Sequence, residues 1–169
     1  VLLLDLDFRA PSLGTVFRLS GSRYEKRWVN DFLDGRCGIE GVIMDLTEKL
    51  GTKGKFAVGL ADPSIEAIRD MARRSRKWEM NALRRLLSLK ESKVMNVDYM
   101  ILDTSPGIQY SSVNAVVSSD ITILVSTLDA IDIEGNGRMV KELYEPFGKR
   151  LAILFNKVPA EFMASKAEM

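Results

Sequence analysis

The chain has 169 residues, 46% hydrophobic and 28% charged, which is enough for one α/β core and too few for two ordinary domains. Twenty-four basic residues stand against 23 acidic ones, so no overall field drives the chain onto nucleic acid or a membrane, although a local patch can still do so. There is no histidine, which removes Ser-His and Cys-His nucleophiles and every His-ligated metal site, and a lone cysteine, Cys37, leaves no internal disulfide. No run approaches the roughly 18 apolar residues of a membrane span and no signal-peptide pattern is present, so the expected compartment is the cytoplasm.

Apolar runs rich in β-branched residues alternate with longer helical or polar stretches. This is the pattern of βα units around a mostly parallel sheet with helices on both faces. The first strand is expected at residues 1–6, within VLLLDLDFRAPSL. Short helices follow at 26–33 and 38–50, with Gly35 and Gly51 as terminators. GTKGK at 51–55 reads as a helix-to-strand turn because it runs directly into the strand FAVGL at 56–60, whereas a phosphate-binding loop must lead from a strand to a helix N-terminus. Asp62-Pro63-Ser64 then starts a long helix whose interrupted apolar stripe is Ile65, Ile68, Ala72, Met80, Leu83 and Leu87. The remaining strands are expected at 99–102, 121–126 and 151–155, with helices at 109–117 and 135–144, the second stopped by Pro146.

Ligands of open parallel sheets bind at the carboxyl ends of the strands, so the strand exits carry the functional signal. Three exits are polar: Asp5, Asp7 and Arg9; then Asp103-Thr104-Ser105-Pro106-Gly107; then Asn156-Lys157. YMILDTSPG has the form of a Walker B element, in which apolar residues deliver Asp103 to the sheet edge to hold the water shell of Mg²⁺. Gly107 leaves a backbone N–H able to approach a terminal phosphate; a helix cap at Asp103 or Thr104 is the plainer alternative. Alternation puts Asp5 and Asp7 on one side, with Asp7 just past the strand, where a carboxylate can orient an attacking water. Asn156 suits a purine edge or, equally, a turn. From Arg69 to Lys93 basic residues outnumber Asp70, Glu79 and Glu91 by nine to three, giving either a solvated face or a nonspecific phosphate-binding one.

Taken in order and spacing, VLLLDLDFRAPSL, DYMILDTSPG and LAILFNKV resemble the switch I, Walker B/switch II and base-recognition segments of the ParA/MinD family of deviant-Walker P-loop ATPases. WVNDFLDGRCGIEGVIMDLTEKLG is similar to the loop-helix region after switch I, and the MinD-like and Mrp-like branches are nearest in character. The resemblance implies a P-loop NTPase-like fold and ATP and Mg²⁺ as cofactors. Asp7 is then the switch I aspartate that places the lytic water, and Asp103 holds the metal through water. Asp5 and the switch II glycine Gly107 lie at the nucleotide, and Asn156 lies at the base. It further implies a nucleotide-dependent dimerisation switch in chromosome partitioning, division-site placement or related positioning. The expected partners are a second copy and, through the helix at 69–93, nonspecific DNA; no membrane segment is expected.

In that family the phosphate-binding loop and its strand precede the segment matched here, and further base-binding chain follows it. Residues 1–169 are therefore expected as a single incomplete domain that does not hydrolyse ATP alone. Its two apolar sheet edges would recruit a second copy by strand exchange, rearrange, or take a strand from a separate chain. Two other readings stay open. One is a degenerate, nucleotide-independent interaction module. The other is the cytoplasmic domain of a bacterial tyrosine kinase of polysaccharide export, whose second Walker motif LLLDLDFRAPSL also resembles. In that case Asp5 and Asp7 serve phosphoryl transfer, although the kinases' terminal tyrosine cluster has no counterpart after Tyr144.

Overall fold

Leu2, Leu4 and Leu6 are buried on one side of the first strand, while Leu3 and Asp5 face the other, so this segment carries apolar surface for two layers. In the computed structural model, which describes residues 1–19, 27–91, 96–105, 107 and 110–160, it is one of the two interior strands of a four-stranded sheet. The chain falls into two compact units, Val1–Ser118 and Ser119–Met169.

In the first unit β1 (Leu2–Asp5), β2 (Ile43–Asp45), β3 (Ala57–Gly59) and β4 (Met100–Asp103) are arranged in the order β2-β3-β1-β4. β1 is parallel to β3 and to β4, and β2 is antiparallel to β3. The helices of this unit are α1 (Leu13–Val16), α2 (Val29–Leu33), α3 (Thr47–Leu50), α4 (Ile65–Met71), α5 (Arg76–Glu91) and α6 (Tyr110–Ser118). Leu2, Leu4 and Leu6 pack with Val29 and Phe32 of α2, Ala82 and Leu86 of α5 and Ala115 of α6. On the other face Val58 and Leu60 pack with Leu13 of α1 and Leu46. This two-sided cover matches the P-loop NTPase-like layering expected from the sequence.

The layers meet most tightly at Gly59, opposite Leu4, where an added Cβ would sit 2.8 Å from a Leu4 methyl and 3.0 Å from one of Val29. Gly59→Ala is therefore expected to cost about 2 kcal/mol through overpacking, read as a lower urea midpoint. An unchanged midpoint would show that the Leu4 methyl can rotate away.

In the second unit β5 (Ile121–Ser126) and β6 (Arg150–Phe155) are parallel and in register along six residues, Ile121 opposite Arg150 through Ser126 opposite Phe155. The helix α7 (Ala130–Met139) begins where Asp129 accepts a hydrogen bond from the Ile131 N–H, and it continues into a π-helical turn at Val140–Tyr144. β4 and β5 each pair with one strand among the described residues, and Ile101, Ile123 and Val125 are 50%, 63% and 55% exposed.

Several expectations are corrected. Residues 38–50 are not one helix: a 3₁₀ turn at Ile39–Gly41 leads into β2 and then α3. Ile43 and Met44 are claimed by sheet pairing with β3, which sends their side chains to opposite layers. The helix from Ser64 is two, α4 and α5, broken at 72–75, where the Ser75 hydroxyl accepts from the Trp78 N–H and restarts the helix. The helix expected at 135–144 starts earlier, at Ala130, because Asp129 caps it. The helix expected at 26–33 starts at Val29; Lys26 lies outside the described residues, as do Gln109 and Lys93. Gly35 and Gly51 end their helices with φ of +80° and +61°, so GTKGK is the expected turn into β3. Among the described residues no helix is long and apolar enough to cross a membrane.

Candidate functional site

Parallel pairing puts Asp5 directly opposite Asp103, at the carboxyl ends of adjacent strands, and the Leu6 N–H donates to the Asp103 carbonyl at 2.7 Å. Asp5 is 1% exposed. One of its oxygens accepts from the Asp7 N–H at 3.0 Å, and the other, Oδ2, is buried with no partner at hydrogen-bond geometry among the described residues. Burial pushes its pKa up from 3.8 to about 6, the hydrogen bond from Asp7 opposing and the charges of Asp103 and Asp7 adding to the rise. Asp103 is also raised, by burial first and by the charge of Asp7 second. Asp7 stands beyond the strand, where its Oδ1 accepts from the N–H groups of Arg9 and Ala10, both at 3.1 Å. This turn fixes the Asp7 carboxylate at the sheet edge. Parallel pairing thus brings Asp5 and Asp103 to one sheet edge, with Asp7 just beyond the strand.

Gly107 has φ +96°, a backbone only glycine adopts without strain. Gly107→Ala should cost about 1–2 kcal/mol with open space around the new methyl, a loss visible as a lowered melting temperature. A variant as stable as the parent would mean that the turn relaxes. Pro106 lies outside the described residues.

Asn156 belongs to the second unit. Its backbone N–H donates to the Ser126 carbonyl at 2.7 Å, and its side-chain oxygen accepts from the Lys157 N–H at 2.9 Å.

The donor set suits magnesium. The carboxylates are hard oxygen donors, and a buried oxygen of Asp5 has no partner at hydrogen-bond geometry among the described residues while like charges gather around it. Among the described residues no three acidic groups converge closely enough to cage an ion.

The basic stretch is divided by the structure. Arg69, Arg73, Arg76, Lys77 and Arg84 are exposed. Arg74 and Arg85 turn inward: Arg74 donates to Asp34 at 2.8 Å, and Arg85 donates to the Cys37 carbonyl at 2.9 Å while lying 4.9 Å from the Phe32 ring centroid. Asp34 is the organising residue that sequence reasoning missed. It also accepts from the Trp78 indole N–H at 2.6 Å and pairs with Arg36 at 3.0 Å. A contact spanning 44 residues leaves no periodic signal to find.

No protein-family model and no curated protein matches the sequence. Solved structures do. The cell division ATPase MinD of Pyrococcus furiosus matches with TM-score 0.66 and 18% identity, over 99% of this chain and 67% of that one. A plasmid partition protein of Borrelia burgdorferi matches with TM-score 0.67 and 17% identity, over 98% and 73%. The chain has the fold of MinD. The kinase domain of the Escherichia coli tyrosine kinase Etk shares it, with TM-score 0.67 and 19% identity over 93% of this chain and 55% of that one. In this MinD-type fold Asp5 and Asp103 occupy the ends of two adjacent parallel strands, β1 and β4.

Proposed function

We propose that this chain is the nucleotide-binding region of a ParA/MinD-type ATPase, a switch whose dimerisation follows the nucleotide it holds. The observation that carries the reading is the placement of Asp5 and Asp103 at the carboxyl ends of adjacent parallel strands, with Asp7 just beyond them, in a sheet with the fold of MinD. Bound Mg²⁺ would neutralise phosphate charge between the nucleotide and the protein. Asp103 would hold that ion through its water shell. Asp7, fixed past the strand by its own turn, would orient the attacking water; Asp5 would sit behind both, tying the Asp7 backbone to β1. Gly107 would bring its backbone to the terminal phosphate. Turnover of ATP would need a phosphate-binding loop that these residues do not supply. The exposed arginines and lysine of α4 and α5 would give a second copy of the protein, or DNA, a basic face to meet.

Calorimetric titration of Mg-ATP into this chain and into the full-length protein containing it tests the reading. Binding is expected to the longer protein, weakened about tenfold to a hundredfold by Asp103→Asn. Binding to neither would favour a nucleotide-independent interaction module. The likeness to the Etk kinase domain supports one further reading, phosphoryl transfer to tyrosine. Labelled phosphate appearing on tyrosine would put it first.

A further inference from the structure

Two hydrogen bonds grip the chain on either side of Thr104. Before it, the Asp103 carbonyl accepts from the Leu6 N–H at 2.7 Å, which ties the end of β4 to the end of β1. After it, the Ser105 carbonyl accepts from the Ser112 hydroxyl at 3.0 Å, and both serines are buried. Ser112 lies in the first turn of α6, a helix that is itself anchored. Ala115 packs in the core with the leucines of β1, and the Asn114 side-chain amide donates to the Glu79 carbonyl of α5 at 2.9 Å. The segment that carries the Asp103 carboxylate is therefore fastened to the sheet at one end and to a seated helix at the other. Its own serine side chain does not fasten it: the Ser105 Oγ is buried with no partner at hydrogen-bond geometry among the described residues. The hold comes from the Ser105 backbone carbonyl, which would be costly to leave buried without its donor.

We infer that Ser112 is a positioning residue for Asp103, its hydroxyl holding the chain beyond β4 so that the carboxylate stays presented at the sheet edge. The inference rests on the reading of Asp103 as the residue that holds Mg²⁺ through water. Mg²⁺ demands near-ideal octahedral geometry, so a carboxylate that drifts loses the ion where a more flexible coordination would adapt. Loss of the Ser112 hydroxyl frees the segment from the α6 end. Loss of the Ser105 hydroxyl, which answers nothing, leaves the hold intact.

Amide hydrogen exchange in this chain reads the hold with no nucleotide present, so its outcome is separate from that of the nucleotide titration. Two amides of the β1–β4 pair serve as reporters: Leu6, bonded to the Asp103 carbonyl, and Leu2, bonded to the Tyr99 carbonyl at the far end. Ser112→Ala should speed exchange at Leu6 relative to Leu2 by about fivefold. Ser105→Ala removes a hydroxyl but keeps the carbonyl bond, and should leave that ratio within about twofold of the parent. A merely structural role for Ser112 would speed both amides alike. An unchanged ratio in Ser112→Ala, or an equal change in Ser105→Ala, would overturn the inference. In the full-length protein, Ser112→Ala should raise the Mg²⁺ concentration for half-maximal ATP hydrolysis about fivefold, less than the roughly tenfold or more expected for a residue bonded to the ligand itself, and Ser105→Ala should not. An unmoved Mg²⁺ midpoint in Ser112→Ala would also overturn the inference. Absence of hydrolysis in the parent would count against the nucleotide reading instead, with the exchange ratio still deciding whether Ser112 holds the segment.

Discussion

Asp5→Asn should raise the melting temperature at pH 8 and leave it unchanged at pH 4. The Asp5 carboxyl has a pKa of about 6 in the fold against 3.8 ordinarily, so the folded state binds its proton more readily than the unfolded one. The favourable contribution is complete below about pH 3.8 and is lost as pH rises through 6. Above that, the buried charge costs about 2 kcal/mol, which an uncharged side chain of the same shape removes. Thermal melts of parent and variant across pH 4 to 8 read the effect directly. Parallel curves, with a gap that does not grow between pH 4 and 7, would show that Asp5 is solvated well enough to ionise freely.

Asp34→Ala should be the most damaging single change outside the sheet, lowering stability by about 3 kcal/mol. Its carboxylate is 7% exposed and answers three donors at once: the Trp78 indole, Arg74 and Arg36. Truncation leaves the indole N–H and a partly buried guanidinium unanswered, and the Nε of Arg74 is already buried without a partner. Arg36 contributes little, because its side chain is 63% exposed and its attraction is screened. Urea denaturation should therefore show Arg36→Ala close to the parent and Asp34→Ala far below it. The reverse order would mean that the local ion pair between Asp34 and Arg36, not the indole bond that reaches α5, sets the stability here.

Strands were legible wherever the chain supplies an unbroken apolar run, as in LLLD at β1, MILD at β4 and ITILVS at β5. β2 was not, because two apolar residues and an aspartate between a 3₁₀ turn and a short helix carry no period of their own. Only antiparallel pairing with β3 makes them a strand, and pairing partners are invisible in a local window. The break between α4 and α5 was hidden because the residues on either side continue one apolar stripe, and a single serine restarts the second helix. At the site, the exit positions of Asp5, Asp7 and Asp103 could be read from alternation. Their mutual approach depends on the register that sets Asp5 opposite Asp103, a property of two strands and not of either.

The central position of β1 also sets a timetable for biosynthesis. Its partner β4 lies 98 residues further along the chain, since Leu2 pairs with Met100. At the usual pace of translation that separation takes roughly 5 to 20 s to emerge from the ribosome. During that interval the leucines of β1 have β3 on one side at most, and the strand that finally buries Asp5 does not yet exist. The nascent chain must keep an apolar segment from pairing with its neighbours, which makes it a natural client for holding chaperones and a point where a slowed ribosome would raise the yield of folded protein.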